Sequence, residues 1–212
     1  SLRAADASHS EQIKWGNESV FNEEHNTLGL FSGVLGGQIV LAGGTSDDYS
    51  RWGRNAVCLS ENAGFALYED VLSKPLAYGA SITLSDGILC IGGRDSSQCY
   101  EDVFFVTMQQ GKLNVSEDWP PLPFPLSNAA GALLDNKVYL FGGRKSVSPS
   151  RLSDSFFVLD LSNKSRGWKE LPGYPGCVRE DAILVVQNNG VSPCLYLLGG
   201  QTETEEGLSS CL

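Results

Sequence analysis

Four times in this chain of 212 residues a pair of glycines closes a short apolar run. The runs are Ile39-Val40-Leu41-Ala42 before Gly43-Gly44, Ile88-Leu89-Cys90-Ile91 before Gly92-Gly93, Val138-Tyr139-Leu140-Phe141 before Gly142-Gly143, and Leu195-Tyr196-Leu197-Leu198 before Gly199-Gly200. The first glycines of successive pairs lie 49, 50 and 57 residues apart. Ahead of each run stands a turn, at Gly36-Gly37, Asp86-Gly87, Asp135-Asn136 and Asn189-Gly190. Ahead of each turn comes a second run rich in small residues, over 29–34, 78–84, 129–134 and 182–186. Two short runs joined by such a turn read as a β-hairpin, so the chain reads as one hairpin repeated four times.

The repeat continues downstream. An aromatic run follows, clearest as Asp102-Val103-Phe104-Phe105-Val106 and Asp154-Ser155-Phe156-Phe157-Val158-Leu159. Next comes a tryptophan, Trp119 and Trp168, with Leu122-Pro123 and Leu171-Pro172 shortly after. Trp15 opens the first unit in the same way, and Tyr68 takes the tryptophan position before Lys74-Pro75. Each unit thus holds about four strands in roughly 50 residues, the size of a kelch propeller blade. A sandwich would also give many short strands, but not this fixed order at a fixed period. The expected fold is all-β, a single kelch-type β-propeller domain over 1–212, with repeats at about 12–65, 66–115, 116–165 and 166–212. The small runs are expected innermost, where blades crowd the axis, and the Trp and Phe-Phe positions between neighbouring sheets. The segment 45–65 is the exception: short and irregular, with Ala56-Val57-Cys58-Leu59 a weak substitute for an aromatic third strand.

Charge and composition exclude several functions. Asp and Glu total 25 against 15 Lys and Arg, a formal net charge of −10, which disfavours nucleic acid and anionic membrane as partners. No apolar run is long enough to span a bilayer. With only His9 and His25, a histidine triad or multi-histidine metal site has no material, and no nucleotide-binding glycine loop occurs. The six cysteines, at 58, 90, 99, 177, 194 and 211, show no zinc-like spacing. Structural roles are expected for them, with disulfides left open. No metal and no cofactor are expected.

The stretches Leu28-Gly29-Leu30-Phe31-Ser32-Gly33-Val34 to Gly43-Gly44, Leu76-Ala77-Tyr78-Gly79-Ala80-Ser81 to Gly92-Gly93, and Trp168-Lys169-Glu170-Leu171-Pro172 through Arg179-Glu180-Asp181 to Gly199-Gly200 resemble the cyclically permuted mutarotase family. Its relatives include the bacterial N-acetylneuraminate epimerases, which are sialic acid mutarotases. The resemblance covers about residues 12–200. It implies six blades, close to 300 residues, where four repeats are visible, so the chain reads as incomplete. It also implies a glutamate as proton acceptor with a nearby arginine on the blades not seen, and no residue here matches that glutamate.

The function implied is interconversion of the anomers of sialic acid, or of a related sugar, by acid/base ring opening. The expected partner is therefore a small acidic sugar. The alternatives are a non-catalytic module binding protein or carbohydrate, and an inactive shortened mutarotase. Loops after each Gly-Gly and after each Leu-Pro are expected on one face. That face would gather arginines to pair with a carboxylate and carboxylates to move protons. The candidates are Arg179, Arg94, Arg144 and Arg54 for substrate binding, Glu180 and Asp181 for catalysis, and Tyr78 as a wall. A removed signal peptide would place the protein in the periplasm or outside the cell, and its absence in the cytoplasm; the sequence leaves this open.

Overall fold

The computed structural model describes residues 28–60, 64–204 and 207–211, and the backbone of two short paired strands, β1 (Ala5–Asp6) and β2 (Lys14–Trp15). Expectations that fall on Trp15's side chain, His9 and His25 lie outside the described residues. Three antiparallel four-stranded sheets follow. The first is β3 (Phe31–Leu35), β4 (Gln38–Ala42), β5 (Ala56–Ser60) and β6 (Gly64–Tyr68), in that order. The second is β7 (Ala80–Thr83), β8 (Ile88–Ile91), β9 (Val103–Gln109) and β10 (Lys112–Ser116). In the third, β11 (Ala130–Leu134) and β12 (Lys137–Phe141) are followed by a side hairpin, β13 (Arg144–Ser146) and β14 (Arg151–Leu152), before β15 (Phe156–Asp160) and β16 (Lys169–Leu171) complete the sheet. Between those last two strands lies a 3-10 turn, Leu161–Arg166.

The fourth unit departs from the four-strand expectation. Among the described residues it contains one two-stranded sheet, β17 (Ile183–Asn188) with β18 (Pro193–Leu198), and then a separate hairpin, β19 (Gln201–Thr204) with β20 (Gly207–Ser210). The first unit departs the other way. The expected weak substitute is a full third strand, with Ala56, Val57 and Cys58 buried and paired to β4 and β6. Small side chains there fill a position that phenylalanine fills in later units.

Side-chain alternation along each strand explains how the sheets stack. In β8, Ile88 and Cys90 face the first sheet and Leu89 and Ile91 face the third; in β9, Phe104 and Val106 face the first, Val103 and Phe105 the third. The second sheet is thus covered on both faces, which is why its middle strands read as unbroken apolar runs. Each Phe-Phe pair sends one ring each way. Phe104 meets Phe31 edge-on with ring centroids 5.3 Å apart, while Phe105 lies 5.2 Å from Trp119. Phe157 packs toward the second sheet and Phe156 toward the fourth unit. Each such buried ring contributes about 1.5–3 kcal/mol. The aromatics at the fourth strands tie units together as well: Trp168 Nε1 donates to the Pro120 carbonyl at 3.0 Å, and the Tyr68 hydroxyl to that of Gly111 at 3.1 Å.

The double glycines have a specific task. Gly43, Gly92 and Gly142 adopt φ of 71°, 64° and 68°, and a Cβ there would sit 2.2, 2.2 and 2.4 Å from the carbonyl oxygens of Leu76, Leu126 and Arg179. The amides of Gly44, Gly93 and Gly143 donate to those same carbonyls at 2.8, 2.8 and 2.9 Å. One glycine lets the incoming chain approach and the next binds it, so only an unsubstituted pair serves. Innermost strands are linked too, the Ser32 and Val34 amides donating to the Ser81 and Thr83 hydroxyls, both at 3.1 Å. Cys58 and Cys90 belong to the core between the first two sheets, and burial pushes both thiols up. Cys177 is joined to Cys211 as a disulfide.

Candidate functional site

The site is built where each unit enters its innermost strand. Gly29, Tyr78, Asn128 and Asp181 are equivalent positions, all with left-handed backbone at φ of 64°, 60°, 55° and 53°. The Tyr78 amide donates to the Gly29 carbonyl at 2.7 Å, the Asn128 amide to Tyr78 at 2.7 Å, and the Asp181 amide to Asn128 at 3.0 Å. This ladder steps from unit to unit and sets three polar side chains in a row. Just outside it lie the residues that follow the double glycines: Thr45, Arg94, Arg144 and Gln201, bridged to Leu28, Ala77, Ser127 and Glu180.

Between these rows lies a cleft of about 370 Å³, bordered by Tyr49, Tyr78, Arg94, Asn128, Arg144, Glu180, Asp181 and Gln201. Arg94 is its distinctive cation. Its Cζ lies 4.8 Å from the centre of the Tyr78 ring and 5.2 Å from that of Trp52, so two aromatics flank the guanidinium. Nη1 reaches the Asp95 carbonyl at 3.4 Å, and among the described residues no carboxylate pairs with it. Arg94 Nε is buried without a hydrogen-bond partner, and so is Asn128 Oδ1, whose own Nδ2 donates to Asp181 Oδ1 at 2.8 Å. Both residues that carry these unpaired atoms line the same hollow.

Arg144 is already engaged. Its Nε donates to Glu180 Oε2 at 2.8 Å and its Nη2 to Glu180 Oε1, with Glu203 Oε1 3.2 Å from Nη2 and Ser150 Oγ taking Nη1. The Glu180 side chain is 5 % exposed and that of Arg144 18 %. The hydrogen bond to Glu180 pushes the Arg144 guanidinium further up. Asp181, by contrast, is exposed on the cleft. Tyr78 is pushed well above the usual phenol range, first by burial and then by its hydrogen bond to Tyr49, so it remains a neutral donor.

Of the residues expected at the site, Arg94, Arg144, Glu180, Asp181 and Tyr78 are brought together, and two are not. Arg179 occupies the position that Leu76 and Leu126 hold in earlier units, 3 % exposed, and its carbonyl receives the Gly143 amide. Its guanidinium turns toward the Gly199 carbonyl at 2.7 Å, with Cys177 Sγ 3.2 Å from Nη2. Arg54 sits on the outer surface, paired with Asp70. Asn128 and Tyr49 were not among the expected residues. Asn128 was legible as the counterpart of Tyr78 and Asp181, each two residues before the innermost strand of its unit; Tyr49 carried no sequence signal. A larger hollow of about 560 Å³ lies at the opposite strand ends, bordered by Asp86, Trp119 and Lys164, with no unpartnered buried polar atom.

A family model described as Kelch motif matches residues 125–172, which include the third sheet. The third blade is a kelch motif. The solved structure of YjhT superposes on 87% of this chain and 68% of its own with a TM-score of 0.62, at 10% identity, a likeness of fold: a kelch-type β-propeller. Among curated relatives, the N-acetylneuraminate epimerase of Vibrio cholerae is 31% identical over 106 residues, 50% of this chain and 25% of that protein. That of Yersinia pestis (strain Pestoides F) is 32% identical over 89 residues, 42% of this chain and 20% of that protein. The chain aligns with a quarter or less of the length of these relatives.

Proposed function

We propose that the axial cleft binds an acidic sugar of the N-acetylneuraminate type and that the chain acts as a mutarotase-like isomerase, speeding exchange between its anomers. The observation that carries this reading is Arg94, a part-buried guanidinium that lines the cleft with no carboxylate partner among the described residues and with a buried, unpaired Nε. Leaving such a donor unmet costs about 1–3 kcal/mol, which a ligand carboxylate would offset with charge-assisted hydrogen bonds. The names of the curated relatives supply the sugar.

Mutarotation moves one proton off the anomeric hydroxyl and one onto the ring oxygen. As the first proton leaves, the anomeric carbon–ring oxygen bond breaks and a carbonyl forms at the anomeric carbon. The open chain rotates and recloses on the other face, reversing both transfers. Asp181, exposed and with its Oδ1 receiving the Asn128 amide group, is the group that accepts the first proton in this reading. Tyr78, held neutral, is the donor toward the ring oxygen. Glu180 has both oxygens occupied by Arg144 and serves to hold that arginine at the rim.

Two-dimensional exchange NMR on N-acetylneuraminate tests this directly. Acceleration over buffer that Asp181→Asn lowers at least tenfold supports it, and exchange at the buffer rate with correctly folded protein refutes turnover. Retained binding with no acceleration would leave a carbohydrate-binding module.

A further inference from the structure

Tyr49 is held in a backbone conformation that bulky side chains rarely adopt. It adopts φ 59° within the loop between β4 and β5, a region unfavourable to a bulky side chain. The loop enforces it with a dense set of hydrogen bonds. The Tyr49 amide donates to the Ser46 carbonyl at 3.0 Å, the Ser46 and Ser50 hydroxyls converge on Asp48 Oδ1 at 2.5 and 2.8 Å, and Trp52 Nε1 donates to the Tyr49 carbonyl at 3.1 Å. The Asp48 carboxyl lies at about 2, lowered first by the Ser46 hydroxyl and then by the Ser50 amide. Yet the ring so fixed is 50 % exposed rather than packed in a core. Its neighbours are the Tyr78 hydroxyl, 3.4 Å from its own, and the tilted Trp52 ring at 6.5 Å. It borders the cleft that is also lined by Arg94 and Asn128, whose buried Nε and Oδ1 have no hydrogen-bond partner.

Strain kept at an exposed aromatic, on a cleft also lined by two residues with unmet polar atoms, is the signature of a surface shaped for a ligand. We infer that Tyr49 is a ligand-contacting platform, on which the apolar face of the sugar ring rests while Arg94 takes its carboxylate. This deepens the acidic-sugar reading and rests on it. Tyr49 thereby fixes which ring face is turned toward Asp181 and Tyr78, and it selects pyranose acids over small carboxylates that present no C–H face.

The experiment compares the full chain with Tyr49→Gly and Tyr49→Phe, by titration calorimetry with N-acetylneuraminate and by thermal unfolding. Glycine suits a positive φ, so Tyr49→Gly is expected to melt at or above the parent temperature while its Kd rises about tenfold. Tyr49→Phe, which keeps the ring, recovers most of that loss. Pyruvate, a keto acid without a ring, is expected to bind no differently to the parent and to Tyr49→Gly. Parent-like sugar affinity in Tyr49→Gly overturns the platform and leaves the acidic-sugar reading standing. No sugar binding by the folded parent overturns both.

Discussion

Replacing Arg144 by methionine is expected to destabilise the fold more than any other single change at the cleft rim. The Glu180 side chain is 5 % exposed, and both its oxygens are held by the Arg144 guanidinium. Methionine fills much of the same volume but leaves that carboxylate buried without its counter-charge. Removing one partner of a buried pair costs about 3–5 kcal/mol, far above the value of the pair relative to an apolar replacement. The double variant Arg144→Met/Glu180→Met removes both charges and is expected to recover to within about 1 kcal/mol of the parent. Glu203 reaches the same Nη2 at 3.2 Å but is 38 % exposed, so Glu203→Gln is expected to cost below about 1 kcal/mol. Urea unfolding at pH 7, followed by tryptophan fluorescence, reads all three as shifts in midpoint at constant slope. A loss under about 1 kcal/mol for Arg144→Met, or a double variant weaker than the single, would refute the claim that Glu180 is a buried charge dependent on Arg144.

Two further outcomes follow from the same geometry. Partial burial pushes the Asp95 carboxyl up, but the Tyr100 hydroxyl at 2.6 Å and the Ser97 and Gln98 amides outweigh it and bring the group down to about 2. Because the folded value lies below the unfolded one of about 3.9, Asp95 contributes stability that is complete above that pH and lost as pH falls toward 2. Carboxyl NMR titration should therefore find Asp95 among the last acids to protonate, and Tyr100→Phe should move it up. Among the glycines, Gly92→Ala would drive a Cβ to 2.2 Å from the Leu126 carbonyl, whereas Gly36→Ala meets nothing within 4 Å at a similar φ of 55°. The first is expected to cost more than about 3 kcal/mol and the second about 1, a contrast that denaturant midpoints resolve; equal costs would contradict the close approach of successive blades.

The repeat was legible because its physics is local. Gly-Gly after an apolar run, a turn before it, and Phe-Phe after it each follow from hairpin geometry and two-sided burial, and the structure places them accordingly. β5 carries a weak strand signal because its Ala56, Val57 and Cys58 satisfy the same burial with little aromatic bulk. At the cleft, Tyr78, Asn128 and Asp181 fall at one repeat position, so aligning the units would have found Asn128. Arg179 misleads because an arginine in a leucine's place is read as a surface charge, while its donors are met inside by the Gly199 carbonyl and Cys177. Tyr49 and the Arg144–Glu180 pair depend on loops whose course no period dictates.

The central claim, that Arg94 receives the carboxylate of an acidic sugar in the axial cleft, is tested most directly by a binding cycle. Calorimetry would measure N-acetylneuraminate and its methyl ester against the parent and against Arg94→Met. Esterification and the substitution should each weaken binding about tenfold or more, and the ester should bind parent and variant alike. Ester and acid binding the parent equally, or Arg94→Met still preferring the acid as strongly as the parent does, would contradict it.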